Sequence, residues 1–179
     1  MKAIVIEPNP ILHQRAREVP QKKITSKYVQ HILHEMEAVL RKTPEGIGIA
    51  APQIGYDVCI FLASEEAQIW DKLEEMPKEE RKKKQWKYHV FINPAILRSS
   101  KNTLSDVEGC LSVPRTYGLV RRAEKITVSA YDEQGKKFQR GTSKLYARVM
   151  QHEIDHLNGI LFTEKAKNIK VLDRAQKQN

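Results

Sequence analysis

The sequence predicts one α+β domain, in which small mixed or antiparallel sheets pack around a central helix. Its 179 residues suffice for one domain with a sizeable core. Hydrophobic and charged residues make up 40% and 30% of the chain, as in an ordinary folded protein. Two helical patterns are separated by short apolar runs of strand length, without the regular alternation of βαβ units.

The first predicted element is a helix over residues 25–42. Thr25 or Ser26 can cap it, and one apolar stripe follows the helical period: Val29, Ile32, Leu33, Met36 and Leu40. Residues 44–55 form a loop rich in Gly, Pro and Ala. The apolar run 57–63, which contains Cys59, has the length of a buried strand.

Residues 65–87 differ from the rest because they are densely charged. The acids come early and the basic run 81–84 comes late, which suits the dipole of a short helix beginning at Pro77. We expect an exposed insertion here, at about residues 64–87.

Beyond the insertion, residues 88–97 and 125–140 are predicted strands, the second with a turn at 132–135. Residues 142–158 form a predicted helix that ends before Gly159. We expect a single domain over residues 1–164, followed by a basic tail at 165–179.

Composition also limits the location and partners of the protein. No apolar run approaches the roughly 20 residues that span a membrane, and residues 1–10 lack the layout of a secretion signal. We therefore expect a cytoplasmic protein whose two cysteines, Cys59 and Cys110, are free thiols. The net charge of +9 favours an anionic partner such as nucleic acid, or else a basic surface that only faces solvent.

The second predicted helix contains the run His152-Glu153-Ile154-Asp155-His156. Histidines four residues apart project from one helix face and can bind one metal ion, with Glu153 as the base of a metal-assisted hydrolase. Leu145 and Val149 share this face. The alternative is a pair of histidines that only pack or form hydrogen bonds.

A catalytic metal site needs a third protein ligand. The downstream histidine of one peptidase class would fall at Phe162, which cannot bind metal. Glu164 is one candidate, and Cys110 is chemically better because thiolates bind zinc or iron(II) strongly. Cys110 lies in the run EGCLSVP of residues 108–114, which alone is typical of a turn with a buried cysteine.

The loop GIGIAAPQ, residues 46–53, provides a third motif. Its small residues let a substrate approach closely, and the Gln53 side chain offers an N–H donor suited to a developing oxyanion. Because the loop lacks the Lys-Ser/Thr ending, it is not a phosphate loop.

Together, residues 46–53, 108–112 and 152–156 resemble the three signature motifs of the peptide deformylase family, in order and in spacing. The resemblance implies three metal ligands: Cys110, His152 and His156. They would hold one divalent ion, commonly iron(II) in this family, with zinc, nickel or cobalt as alternatives. The resemblance also implies Glu153 as general acid/base, and an oxyanion site made by the Gln53 side chain and the Leu111 backbone N–H.

For the substrate, the resemblance implies a channel lined by Ile47 and Gly48. We expect Ile47, Leu145 and Val149 to form the walls of an apolar pocket for methionine. The implied reaction is hydrolysis of the N-formyl group from the N-terminal methionine of newly made proteins, with release of formate. The long insertion resembles the organelle-type branch of the family.

Three groups near the motifs are expected to orient the ligating histidines: Glu108, Arg122 and Asp155. We expect the enzyme to be a monomer that acts on N-formyl-methionyl nascent peptides. Weak, salt-sensitive association with the ribosome through the basic tail is a hypothesis, against the alternative that the tail only aids solubility.

Three other functions remain open. A zinc endopeptidase is the nearest enzymatic alternative, and Cys110 together with the missing downstream histidine argues against it. A basic RNA- or ribosome-binding module would need a fourth protein ligand to close a structural metal site. A deformylase-like protein without activity is the third, although every expected catalytic residue is present.

Overall fold

The computed structural model describes residues 2–43, 46–73, 76–77 and 84–172. In this part of the chain the helices are α1 (Lys27–Arg41), α2 (Glu65–Gln68), α3 (Trp70–Leu73) and α4 (Lys144–Leu157). The strands are β1 (Gly48–Ala50), β2 (Ile60–Ser64), β3 (Tyr88–Ser99), β4 (Thr103–Cys110), β5 (Val113–Ala123), β6 (Lys125–Tyr131), β7 (Lys137–Ser143) and β8 (Lys167–Val171). None of these helices has the length and apolar character needed to cross a lipid bilayer.

The strands form two antiparallel sheets. The larger has the order β1-β2-β3-β6-β7 and the smaller has the order β4-β5-β8. Helix α4 contacts strands of both sheets, which places it centrally. The predicted α+β class with small antiparallel sheets is confirmed.

Helix α1 covers one face of the larger sheet. It begins at the predicted position because the Ser26 hydroxyl accepts a hydrogen bond from the Val29 N–H. Its buried stripe packs with apolar side chains of β1, β2 and β3, among them Ile49, Ile60 and Ile92. The periodic pattern therefore gave the helix to within two residues at its N-terminus and one at its C-terminus.

Helix α4 packs on the other face, and a glycine fixes its end. Met150 and Ile154 lie in one core cluster with Phe61 and Phe91, whose rings stack. Gly159 follows the helix with a φ of 72°, and a Cβ there would lie 2.6 Å from the His13 carbonyl carbon. The chain can turn at this point only because residue 159 lacks a side chain.

Two strands of the smaller sheet were not predicted. Residues 108–114, taken alone, are typical of a turn, and a tight turn does lie at Leu111 and Ser112, but the strands β4 and β5 that flank it were not predicted. These strands are hard to recognise in the sequence because charged residues occupy two of their few buried positions, Glu108 and Arg122, whereas Val107 beside Glu108 is 57% exposed. This is the reverse of the usual alternation.

The other strand predictions are closer. The predicted strand at 88–97 is β3, two residues longer at its end. The run 125–140 is a β6–β7 hairpin with its turn at residues 132–135, where Gly135 has a φ of 79°. Both cysteines are free, as expected.

The predicted boundary at residue 164 needs correction. Residues Lys167–Val171 pair with β5 as an edge strand, so they belong to the sheet and not to a tail. All five are exposed, and the short run contains only two apolar residues, Ile169 and Val171, among basic and polar ones, so the sequence favoured a basic tail. The remaining tail residues, 173–179, lie outside the described part of the chain.

The insertion also differs from expectation in part. Residues 65–73 form the short helices α2 and α3, and Ala67 and Leu73 are buried. This part of the insertion is therefore packed on the domain and not fully exposed. The predicted helix beginning at Pro77 would run into residues 78–83, which lie outside the described residues.

Candidate metal centre

Strand β4 and helix α4 bring three candidate metal ligands together. Cys110 ends β4, while His152 and His156 lie one turn apart on α4 with ring centroids 4.9 Å apart. The candidate ligand atoms all lie within 4.8 Å of one another, and Cys110 Sγ is 3.1 Å from His156 Nε2. One thiolate and two imidazoles form a donor set that binds zinc, iron(II) and related divalent ions.

Both imidazoles suit this role, one through a hydrogen bond that orients it and the other through burial. The Glu108 carboxylate can only accept, so His152 Nδ1 donates to Oε2 over 3.0 Å and leaves Nε2 for a metal. Burial lowers the pKa of His156 well below its usual value, which keeps the ring in the neutral form that binds metals. The residues therefore fit a divalent ion.

Glu108 is the centre of a buried network of charges. Its Oε1 accepts from Arg122 Nε and Arg148 Nη1 over 2.9 and 2.7 Å, and its Oε2 accepts from Arg122 Nη2 over 2.8 Å. Arg122 also pairs with Asp155, which Lys165 contacts over 2.6 Å. Burial alone would raise the pKa of Glu108, but the hydrogen bonds from Arg122 and His152 hold it well below its usual range.

Glu153 lies beside the three ligands and is 4% exposed. Its Oε2, like His156 Nδ1, has no hydrogen-bond partner among the described residues, so a polar group inside the site is left for another molecule. Burial raises the pKa of Glu153 to about 7. A carboxyl group with this pKa can both accept and donate a proton near neutral pH.

The Gln53 side chain lies beside Cys110 and contacts the buried Ser112. Gln53 Oε1 accepts from the Ala50 N–H over 2.8 Å, which turns its amide nitrogen toward Ser112 Oγ at 3.3 Å and Cys110 Sγ at 3.5 Å. Because the side chain is 2% exposed and held at both ends, its N–H group is preorganised beside the metal ligands.

A cavity of about 700 Å³ opens next to these residues. Nine of the ten predicted site residues line it: Ile47, Gly48, Gln53, Cys110, Leu111, Leu145, Val149, His152 and Glu153. The tenth, His156, is 1% exposed and lies behind the cavity wall. Close packing explains Gly48, since a Cβ there would lie 2.5 Å from Glu153 Oε1.

Two polar residues near the candidate metal ligands were not predicted from the sequence, and one predicted alternative ligand has a different role in the structure. Arg148 and Ser112 were not singled out, although a lone arginine on the apolar stripe one turn before His152 was a signal for the former. Glu164, the weaker candidate ligand, accepts from the Leu161 N–H over 2.8 Å and is not part of the metal-ligand group. Phe162 packs near the His152 ring, with centroids 6.2 Å apart.

Comparison with known proteins gives a consistent picture. A family model described as polypeptide deformylase matches residues 1–171. The chain is 36% identical over 165 residues to peptide deformylase 1A, chloroplastic/mitochondrial, of Arabidopsis thaliana, covering 90% of this chain and 60% of that protein. It is 34% identical to the peptide deformylase of Borreliella burgdorferi, covering 92% and 90%. The chain thus spans about 60% of the length of the plant relatives.

Solved structures agree with these relatives. A peptide deformylase from Synechococcus elongatus in complex with actinonin superposes with a TM-score of 0.77 at 30% identity, covering 93% of this chain and 79% of that one. A Met-Ala-Ser-bound peptide deformylase from Acinetobacter baumannii gives 0.77 at 30% identity, covering 92% and 97%. Since the family model extends over nearly the whole sequence and these relatives reach 36% identity, the chain belongs to the peptide deformylase family.

Proposed function

We propose that this protein is a metal-dependent hydrolase that removes the formyl group from the N-terminal methionine of newly made proteins and releases formate. The observation that carries the proposal is the group of Cys110, His152 and His156 beside the buried Glu153, at the wall of a cavity with apolar lining. The Met-Ala-Ser peptide bound by the Acinetobacter baumannii relative supports a methionine-first product.

The cavity would orient the substrate. Ile47, Leu145 and Val149 would contact the methionine side chain, and burial of such a side chain contributes about 1.5–3 kcal/mol to binding. Gly48 lets the Glu153 carboxylate lie against the backbone at the cavity wall. The formyl carbon would then lie between Glu153 and the amide nitrogen of Gln53, where reaction needs it.

In the proposed reaction the protein would transfer protons in two steps and stabilise one oxyanion. Glu153 would take the proton of the attacking water and later give it to the leaving amine, as its pKa of about 7 permits. The Gln53 amide and the Leu111 N–H would donate to the oxyanion, and loss of one such donor typically costs about 2.7–4 kcal/mol of barrier. A divalent ion held by Cys110, His152 and His156 would supply Lewis-acid activation when bound.

We propose iron(II) as the native ion, with zinc, nickel and cobalt as the alternatives that the test distinguishes. The thiolate–imidazole set accepts each of them, so availability and oxygen sensitivity decide which is found. Anaerobic purification with metal analysis, followed by a formate-release assay on a formyl-Met-Ala-Ser peptide, tests metal and activity together. Acetyl-Met-Ala-Ser and casein are the matched controls, and cleavage of casein without formate release would contradict the proposal.

The site also suggests the state and location of the enzyme. We propose a monomer, because a single chain is sufficient to assemble the three candidate ligands and the cavity beside them, and light scattering would check this. Its formylated substrates are made where translation starts with formyl-methionine, so we propose that it acts in the cytoplasm, on nascent chains.

Weak association with the ribosome would serve this substrate. The net charge of +9 supports it, as do the exposed Lys167 and Lys170 on β8. Lys165 is less available, because it pairs with Asp155. Co-sedimentation with ribosomes across a salt series would test this with the Lys167→Gln/Lys170→Gln variant and with a chain ending at Leu172, which keeps β8. Binding that does not weaken with salt would contradict an electrostatic association. Binding that both variants retain in full would show that β8 and the tail are not its contact.

A further inference from the structure

Arg148 is a buried arginine that both lines the cavity and contacts the network around the metal ligands. It lies on α4 about one turn before His152 and is 7% exposed. Its charged head makes bonds in three directions: to Glu108 Oε1 over 2.7 Å, to the Val120 carbonyl over 2.9 Å and to the Leu104 carbonyl over 2.8 Å.

These partners place Arg148 between the two elements that supply the ligands. Leu104 and Glu108 belong to β4, which ends at Cys110, and Val120 belongs to the paired strand β5. Arg148 itself belongs to α4, which carries His152 and His156. The guanidinium group therefore ties the strand that carries the thiolate to the helix that carries the imidazoles.

The same side chain acts on His152 through one intermediate. Arg148 Nη1 donates to one oxygen of Glu108, and the other oxygen accepts from His152 Nδ1 over 3.0 Å. Arg122 holds both oxygens from the second side. With four donors, the carboxylate has no freedom to turn, so the ring it holds keeps its Nε2 in one direction.

We propose that Arg148 is a positioning residue for the metal centre, which aligns His152 through Glu108 and holds Cys110 at a fixed distance from the two histidines. The inference rests on the proposed function only for the presence of a metal ion. Arg148 also lines the cavity, so the same side chain contributes to the wall of the proposed substrate pocket and to the network that orients His152.

Co²⁺ is the probe for the test, because its visible absorption reports both binding and ligand geometry. Arg148→Met keeps an unbranched stem in the cavity wall and removes all three bonds of the guanidinium. We expect Co²⁺ binding to weaken by about 10-fold in a chelator competition and the absorption spectrum to change. This is the lower end of the loss of about 10- to 100-fold typical for removal of a direct partner of a metal ligand, because Arg148 acts through Glu108. Arg148→Lys keeps the positive charge but lacks the planar guanidinium group with its several N–H donors. This variant should bind Co²⁺ more tightly than Arg148→Met.

Arg140→Met is the matched control. Arg140 also contacts α4, at the Tyr146 hydroxyl over 3.5 Å, but it has no bond to Glu108 in the described structure. Co²⁺ binding by this variant should equal that of the unmodified protein. A loss as large as that in Arg148→Met would mean that any arginine against α4 matters, and would overturn the assignment.

A double-mutant cycle with Glu108→Gln tests the path of action. If Arg148 acts through Glu108, then Arg148→Met should weaken Co²⁺ binding much less when Glu108→Gln is already present. Full additivity, or a folded Arg148→Met protein with unchanged affinity, would overturn the inference. If Arg148→Met does not fold, Arg148→Lys in the same cycle decides. Co²⁺ binding is measured without substrate, so an unmodified protein that binds Co²⁺ but releases no formate would refute only the proposed activity.

Discussion

Replacement of Gly48 by alanine should impair catalysis more than folding. A Cβ at this position would lie 2.5 Å from Glu153 Oε1 and 2.9 Å from Val149 Cγ1. Ordinary contacts begin near 3.4 Å, so the Glu153 carboxylate would have to move by about 0.9 Å. A misplacement of about 1 Å can cost about 10²-fold in rate, which corresponds to about 2.7 kcal/mol of barrier.

The metal ion should remain bound in this variant, because no atom of Cys110, His152 or His156 is among the closest contacts of the added methyl group. We therefore expect Gly48→Ala to keep its metal content and to lose about 10- to 100-fold in kcat for formate release. KM can rise as well, since Gly48 lines the cavity, so kcat must be measured at saturating formyl-Met-Ala-Ser.

Gly141→Ala is the matched control, since a Cβ there meets nothing within 4 Å. It makes the same chemical change on β7 and should leave kcat and metal content unaltered. If Gly48→Ala also showed unaltered kcat at saturating substrate, the position of Glu153 would not control the reaction, and its role as general acid/base would have to be given up.

Four further predictions follow from single contacts. Bound metal should be lost in three variants, as metal analysis will show: Cys110→Ala, His152→Ala and His156→Ala. Glu153→Ala should keep its metal and lose about 10²- to 10⁴-fold in kcat, whereas near-normal turnover would mean that another group moves the proton. Gly159→Ala should lower the melting temperature much more than Gly55→Ala, because both have positive φ but only the former would place its Cβ within 3 Å of backbone. Burial raises the pKa of Cys59 to about 11, so at pH 8 only about one thiol in 10³ is ionised and native Cys59 should resist alkylation until the pH is raised.

The residues of the site were predictable from the sequence because the chemistry is carried by local runs. The i, i+4 histidines, the thiol of Cys110 and the amide of Gln53 lie within three short motifs, and nine of the ten predicted residues line one cavity. The helices were predictable for a similar reason, since a period of 3.6 places their apolar residues on one face.

Strands β4, β5 and β8 could not be predicted in this way, and the reason is connected with function. Glu108 and Arg122 point into the protein on β4 and β5, while Val107, Tyr117 and Leu119 are exposed. A pattern with charges inside and apolar side chains outside predicts no strand, because the usual rule follows from burial of apolar surface. Of the buried positions on β4 and β5, Glu108 and Arg122 belong to the network that holds His152, whereas Val120 is apolar. Two of the outward residues, Val107 and Tyr117, line the cavity.

Stability alone does not explain why this network is charged. Burying ions is costly, and replacing a buried ion pair by packed apolar residues is often neutral or even stabilising by about 1–4 kcal/mol. Glu108, Arg122 and Arg148 are 5–7% exposed, so their desolvation is nearly complete. What apolar packing could not provide is a fixed acceptor for His152 Nδ1 and fixed donors across β4, β5 and α4. The charges are therefore best explained by the geometry that they impose on Cys110 and His152, which come from parts of the chain that are 42 residues apart.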